Sequence, residues 1–213
     1  QLGAYASSDT LAAELAWWQQ QAQGVSGQLP GARAQGSQAL RYRQVVSVGL
    51  GREQTRQLLQ HAPAAYRTQI NDLFLTALAR AMCDWTGESS AWIQLEGHGR
   101  EDLFETLDLT RTVGWFTSLF PVKLTPAQDM AASIKAIKQQ LREVPGKGLG
   151  FGLLRYQGDA GAQASLAALP PARVTFNYLG QFDQNFSEDA LFVPAKEASG
   201  AAQSLDSPLA NRL

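Results

Sequence analysis

Apolar positions recur with two different periods along the chain, and the changes of period divide it into elements. Residues 10–23 place Leu11, Leu15 and Trp18 at helical spacing, with Asp9 or Thr10 as a cap and Glu14 in the opening turn. Residues 24–39 are small, polar and glycine-rich without a period, the composition of a flexible connection. Residues 41–50 predict a strand, because Tyr42 and the valines carry β-propensity, and residues 52–61 a short helix beyond Gly51. The strongest helix runs from Thr68 or Asn71 to Thr86. Phe74, Leu78, Met82 and Trp85 form one stripe with Leu73, Ala77 and Ala81 beside it, and Gly87 is placed to end it.

Residues 90–96 alternate as a strand does and break at Gly97-His98-Gly99. Residues 112–124 are β-rich, interrupted by Gly114 and closed by Pro121. Residues 127–143 predict an amphipathic helix with Met130, Ile134, Ile137 and Leu141 on one face, and a turn-rich segment follows at 144–152. Residues 173–179 read as a strand ending at Gly180. From Gln184 the chain turns acidic, then small and polar, with order expected only at Leu191–Val193. No internal repeat is visible, and the alternation of helices and strands predicts a layered α/β fold.

Composition narrows the classes. With 213 residues and 45% hydrophobic positions the chain can bury a core, which excludes a disordered tail or a disulfide-stapled miniprotein. Eighteen Lys and Arg stand against nineteen Asp and Glu, net -1, without the positive excess of nucleic-acid binders. Cys83 is the one cysteine, which fits a reducing, cytoplasmic setting. No apolar run approaches the roughly 18 residues that span a bilayer, and no signal peptide is visible at Gln1. The missing initiator Met and the uncapped end at Leu213 suggest a piece of something longer.

Candidate chemistry concentrates in two stretches. In Leu95-Glu96-Gly97-His98-Gly99-Arg100-Glu101 a carboxylate ends a strand and glycines follow, which lets a substrate approach the backbone closely. A half-buried Glu96 there could exchange protons near neutrality. The commoner arrangement is structural, with Glu96 and His98 paired to Arg100 or a helix end. In Phe176-Asn177-Tyr178, neighbouring side chains on a strand point to opposite faces, one toward a cavity and the other into packing. Two histidines, His61 and His98, without clustered ligands make a zinc site improbable. Cys83 is expected as a core or near-core thiol, and Trp17, Trp18, Trp85, Trp92 and Trp115 as core. The run Gly146-Lys147-Gly148-Leu149-Gly150 lacks the Ser or Thr of a phosphate loop and reads as a turn with a hinge function.

Five stretches stand in the order seen in epimerization domains of nonribosomal peptide synthetases. They are Tyr66–Leu78, Leu95–Glu101, Arg111–Val122, Pro145–Gly152 and Thr175–Asp183, dense over 66–183 and looser on either side. The Glu-Gly-His-Gly-Arg-Glu form resembles epimerization rather than condensation domains. The resemblance implies a chloramphenicol-acetyltransferase-like α/β fold, with a mixed sheet covered by helices and an active site in a tunnel between two lobes. Residues 1–43 would be the end of the N-terminal lobe and the interlobe connection, and 44–213 the C-terminal lobe, truncated at its end. The family's His-His-x-x-x-Asp-Gly motif is absent here and would lie upstream of Gln1.

The implied activity inverts L to D at the α-carbon of an aminoacyl or peptidyl thioester. The thioester is held on the 4'-phosphopantetheine of a partner carrier protein. Catalytic residues carried over by the resemblance are Glu96, the acid/base of this lobe, with Asn177 and Tyr178 near the tunnel. Trp115 and Phe116 would bind substrate, and His98 and Arg100 would support the site. No metal, nucleotide or flavin is implied, and this lobe itself binds no cofactor. Expected partners are a peptidyl carrier protein, the N-terminal lobe of the same domain and other synthetase modules, without nucleic acid or membrane. A condensation domain forming peptide bonds and a non-catalytic carrier-docking lobe are the alternatives.

Overall fold

The computed structural model describes residues 1–32, 37, 39–104, 107–180, 200 and 203–208. Two short helices, α2 (Asp9–Ala12) and α3 (Leu15–Gln21), replace the single one predicted over 10–23, and α1 (Leu2–Ala6) precedes them. The Ser8 hydroxyl accepts from the Leu11 amide at 3.2 Å and caps α2, and the chain turns at Ala13 and Glu14 before α3. The apolar spacing nonetheless does its work, because Leu11 and Trp18 are fully buried.

Residues 41–50 do not form the predicted strand. A 3₁₀ turn spans Leu40–Tyr42, and beyond it Val45, Val46 and Val48 stand in solvent. A strand needs a neighbour for its N–H and C=O groups. What the described residues offer instead is an isolated bridge between Ala39 and Pro208, with Leu40 and Arg41 donating to the Ser207 and Leu205 carbonyls, both at 2.9 Å. Arg41 also pairs with Asp206. β-propensity expresses fit to a pleated, half-buried surface, and none is present here.

The next helix is longer than predicted. α4 (Arg52–Arg56) runs through a π turn at Gln57–His61 into α5 (Ala62–Tyr66), where left-handed Arg67 stops it. α6 (Ile70–Thr86) starts where the Gln69 amide donates to Asp72 at 2.8 Å and ends at left-handed Gly87. Its buried face is Leu75, Ala79 and Met82 with Leu73 and Thr76, rotated from the predicted stripe. Ala79 is fully buried on this face, Trp85 lies outside it and Phe74 packs on Tyr178. Cys83 on this helix is half-buried, and burial, with help from Asp84 and Glu88, pushes its thiol pKa up.

The sheet is mixed. β1 (Ala91–Gly97) lies between β2 (Ser118–Leu124), antiparallel to it, and β3 (Val174–Phe176), parallel to it. Opposed residues share a face, so Ile93 and Leu95 bury with Val122 and Phe120. Pro121 does not close β2 but sits opposite Gln94 in its middle. β2 is an edge of the described sheet, where a missing N–H removes no ladder bond. β3 stops at Phe176, short of the predicted end.

α7 (Met130–Arg142) is capped by Asp129, which accepts from the Ala132 amide at 2.7 Å. Arg80 on α6 ties the two helices by donating to the Ala127 and Gln128 carbonyls and to buried Ser133. The turn predicted over 144–152 is a 3₁₀ turn at Pro145–Gly148 and then α8 (Leu149–Gln157). Glycine within a helix costs about 1 kcal/mol against alanine, but at Gly150 a Cβ would overlap Glu14 and Leu11. α9 (Ala160–Ala167), alanine-rich on every side, has no stripe to predict it and is capped by Asp159. α1 packs on α8 and α3 on α9, so the N-terminal helices share one core with the sheet. Of the tryptophans expected in the core, Trp18 and Trp92 are buried, whereas Trp85 and Trp115 are exposed. Leu191–Val193 lie outside the described residues.

Ile93→Ala, at the fully buried centre of the sheet, is expected to cost about 2–5 kcal/mol in urea unfolding. Val48→Ala should stay within about 0.5 kcal/mol. A comparable loss at Val48 would show that residues 41–50 bury their valines in the folded chain.

Candidate active site

Parallel strands bring their C-terminal ends to the same edge of a sheet, where open α/β sheets hold ligands. β1 and β3 do this with Leu95 beside Phe176, which leaves Glu96 and Asn177 one step further along the same register. Glu96 is half-buried opposite Leu119, on the face of β1 away from Ile93 and Leu95. Among the described residues its carboxylate takes no hydrogen bond or ion pair. Asn177 is exposed. Tyr178, half-buried, packs its ring on Phe74 at 5.4 Å between centroids. Both lie past the end of β3, so the opposite-faces argument does not apply to them, although one is open and one packs.

The loop leaving β1 turns back on itself. Gly99 has φ +66, and a Cβ there would overlap the Phe116 carbonyl, so no other residue fits. His98 Nδ1 accepts from the Arg100 amide at 3.0 Å, and its Nε2 lies 3.1 Å from Glu101 Oε1. Both ring nitrogens are therefore committed to their own loop, with the proton on Nε2. Arg100 spreads its guanidinium over three carbonyls: Leu109 at 2.7 Å, Thr112 at 2.9 Å and Gly114 at 3.3 Å. Its planar head also lies 4.2 Å from the Phe116 ring centre, a cation–π contact.

This stapling sets the second pair of candidates. Phe116 is partly covered under Arg100, whereas Trp115 is 93% exposed. Both line a cavity of about 340 Å³ whose walls are mainly apolar, including Leu103, Phe104, Leu109 and Leu149. A neighbouring cavity of about 250 Å³ has Glu14, Glu101 and Lys147 among its lining residues, together with Tyr5, Leu103 and Leu149. The sequence does not single out Glu101 or Lys147. Each falls inside a motif read above, but nothing in the spacing tells that the two segments meet. Lys147 Nζ donates to Glu101 Oε2 at 2.7 Å, and this bond raises the lysine pKa. A raised lysine contributes fully below its ordinary pKa and is lost only as pH rises through the raised value, so the pair is intact at neutrality. The lysine is thereby occupied within the protein, which agrees with a turn and not a phosphate cradle.

Among the described residues no three His, Cys, Asp or Glu side chains gather as a metal site, and no helix is long and apolar enough to cross a membrane. The arrangement presents one carboxylate at a strand end, ahead of a loop in which His98, Arg100 and Glu101 are paired; Trp115 and Phe116 line the apolar cavity, whereas Glu96, Asn177 and Tyr178 are not among its lining residues. Such a carboxylate can take or give a proton at a group held in front of it.

Burial also raises the Glu14 pKa, opposed in part by the hydrogen bond from Trp18 Nε1 at 3.3 Å. Its stabilising form is the protonated one, present in full below the ordinary value and lost as pH rises through the raised one. Glu14→Gln should therefore remove the fall in thermal stability that sets in as pH rises above the ordinary carboxylate range, and raise Tm at neutral pH. A lower Tm at neutral pH would show that the ionised carboxylate is the form the fold prefers.

The Condensation domain family model matches residues 1–203. A linear gramicidin synthase chain of Brevibacillus parabrevis is 47% identical over 208 residues, covering 94% of this chain and 3% of that protein. Surfactin synthase subunit 1 of Bacillus subtilis (strain 168) is 38% identical over 212 residues, 98% of this chain and 6% of that protein. The chain thus spans a few per cent of the length of these curated relatives. Among solved structures, the epimerization domain from the third module of tyrocidine synthetase B aligns at TM-score 0.85 and 36% identity, over 99% of this chain and 47% of that one. The first condensation domain of the calcium-dependent antibiotic synthetase aligns at TM-score 0.58 and 20% identity, over 75% of this chain and 37% of that one, a likeness of fold alone. The mixed α/β architecture implied by the resemblance is the fold of these neighbours. With its family model matched over residues 1–203, the chain belongs to the condensation-domain family of the nonribosomal peptide synthetases.

Proposed function

We propose that the chain is part of an epimerization domain, an isomerase that inverts the α-carbon of a carrier-bound aminoacyl or peptidyl thioester. The observation that carries this reading is the alignment to a solved epimerization domain at 36% identity over 99% of this chain. The motif Glu96-Gly97-His98-Gly99-Arg100-Glu101 and the Glu96 carboxylate, unpaired among the described residues, support it. On this reading residues 44–213 are the C-terminal lobe and 1–43 the passage from the other lobe, anchored where α1 and α3 dock on α8 and α9.

The chemistry follows from the carbon acid. An α-proton beside a thioester can be abstracted once negative charge on the enolate oxygen is stabilised. Inversion removes a proton on one face and returns one on the other, so Glu96 works opposite a histidine contributed by the other lobe. The Glu96 carboxylate takes the proton from one configuration and gives it back to the planar enolate in the reverse direction. Asn177 and Tyr178 orient the acyl group, and Trp115 and Phe116 contact its side chain. His98 and Arg100 hold the loop. The substrate arrives on the phosphopantetheine arm of a peptidyl carrier protein, so this lobe needs no cofactor of its own. Amide formation is the second reading, favoured by the name of the matching family model.

The test is deuterium exchange at the α-carbon of an aminoacyl carrier-protein thioester in D₂O. The complete domain should exchange, and Glu96→Gln should slow exchange by about 10²- to 10⁴-fold. These 213 residues alone should not exchange, because the His-His-x-x-x-Asp-Gly motif that would supply the opposing histidine is not among them. Amide product with a second carrier-bound amino acid, without α-exchange, would establish condensation instead. Exchange by this chain alone would refute the two-sided mechanism.

A further inference from the structure

Glu101 lies where two glycine-punctuated segments meet. Its side chain is 15% exposed, and each carboxylate oxygen has its own partner, His98 Nε2 at 3.1 Å and Lys147 Nζ at 2.7 Å. A largely buried carboxylate is unfavourable unless it is paired, and here the pairing spans two parts of the chain. Lys147 is held at φ +50 between Gly146 and Gly148, both also at positive φ. A non-glycine residue keeps that backbone only where its surroundings over-determine it. Its main chain is also placed at the strand end, because the Lys147 carbonyl lies 3.9 Å from where a Cβ on Gly97 would stand. Lys147 thus stands at the exit of β1, its carbonyl on the side of Gly97 and its ammonium bonded to Glu101.

We propose that Glu101 is a positioning residue: with Lys147 it clamps the loop leaving β1 onto the turn at Pro145–Gly148 and so fixes the direction in which Glu96 leaves the sheet. The catalytic consequence rests on the reading of Glu96 as acid/base, whereas the clamp itself rests on the contacts. Arg100 cannot substitute for it, since its guanidinium is spent on the Leu109, Thr112 and Gly114 carbonyls, on the other side of the loop. His98 braces Glu101 from within the loop but does not reach the turn.

The test uses Glu101→Gln, Lys147→Gln, their double variant and Lys147→Arg in the complete domain. Two readouts are taken: hydrogen–deuterium exchange of peptides covering 97–104 and 144–150, and α-proton exchange of a carrier-bound aminoacyl thioester. Each glutamine variant should speed amide exchange in both peptides by about three- to tenfold, the double variant no more than either alone. Lys147→Arg should stay near wild type. In turnover, kcat should fall by a similar factor with KM unchanged. If Glu101→Gln does not fold, Lys147→Gln carries the test, because that side chain is exposed and its loss creates no cavity. Faster exchange confined to the substituted segment, or a double variant equal to the product of the singles, would overturn the clamp. Glu96→Gln turning over at the wild-type rate would refute the acid/base role, while the amide data still decide the clamp. Loss of turnover in Glu96→Gln with unchanged kcat in both glutamine variants would refute positioning and leave the Glu96 role standing.

Discussion

Between Gly99 and Phe116 one guanidinium ties together backbone carbonyls from successive positions of a long loop. Arg100 reaches the carbonyls of Leu109, Thr112 and Gly114 and stacks on Phe116. Its fork is planar and permanently charged, and two of its nitrogens share the acceptors, Nη1 on Leu109 and Nη2 on Thr112 and Gly114. Remove it and those carbonyls lose their charged donor and the Phe116 ring its cover. The course of the loop that carries Leu109, Trp115 and Phe116 into the apolar cavity depends on that one cation.

The core supplies the other half of the arrangement. β1 is central in the described sheet, and its buried Ile93 and Leu95 fix the register that brings Glu96 to the edge. β3 runs parallel to it, so Asn177 and Tyr178 emerge at the same end. α8 begins beneath that end, where Gly148 at φ +88 allows the Phe120 ring to lie against the turn. The strands thus deliver the carboxylate, and the stapled loop that follows shapes the apolar cavity.

Much of this was legible in the sequence, for reasons that differ by element. α7 follows from its one apolar stripe and from Asp129 as its cap, and β1 from its alternation. Residues 41–50 misled because propensity describes a surface that the fold does not provide there. Pro121 misled because a proline ends a strand only where its N–H is required. α8 was hidden by its glycines, of which Gly150 is explained by contact with Glu14 and Leu11, which only the folded chain reveals. At the site, Glu96, His98 and Arg100 announced themselves through the glycines around them. The tie between Glu101 and Lys147 joins distant segments, and no local pattern encodes it.

The measurement closest to the centre of this account is hydrogen–deuterium exchange of the complete domain carrying Arg100→Lys. The Thr112 amide donates to the same Leu109 carbonyl that Arg100 holds, so it reports directly on the staple. Exchange across 107–116 should quicken by about tenfold or more, while peptides from β1 and α6 keep their wild-type rates. Unchanged exchange across 107–116 would contradict the account, because the loop would then owe its shape to something other than Arg100.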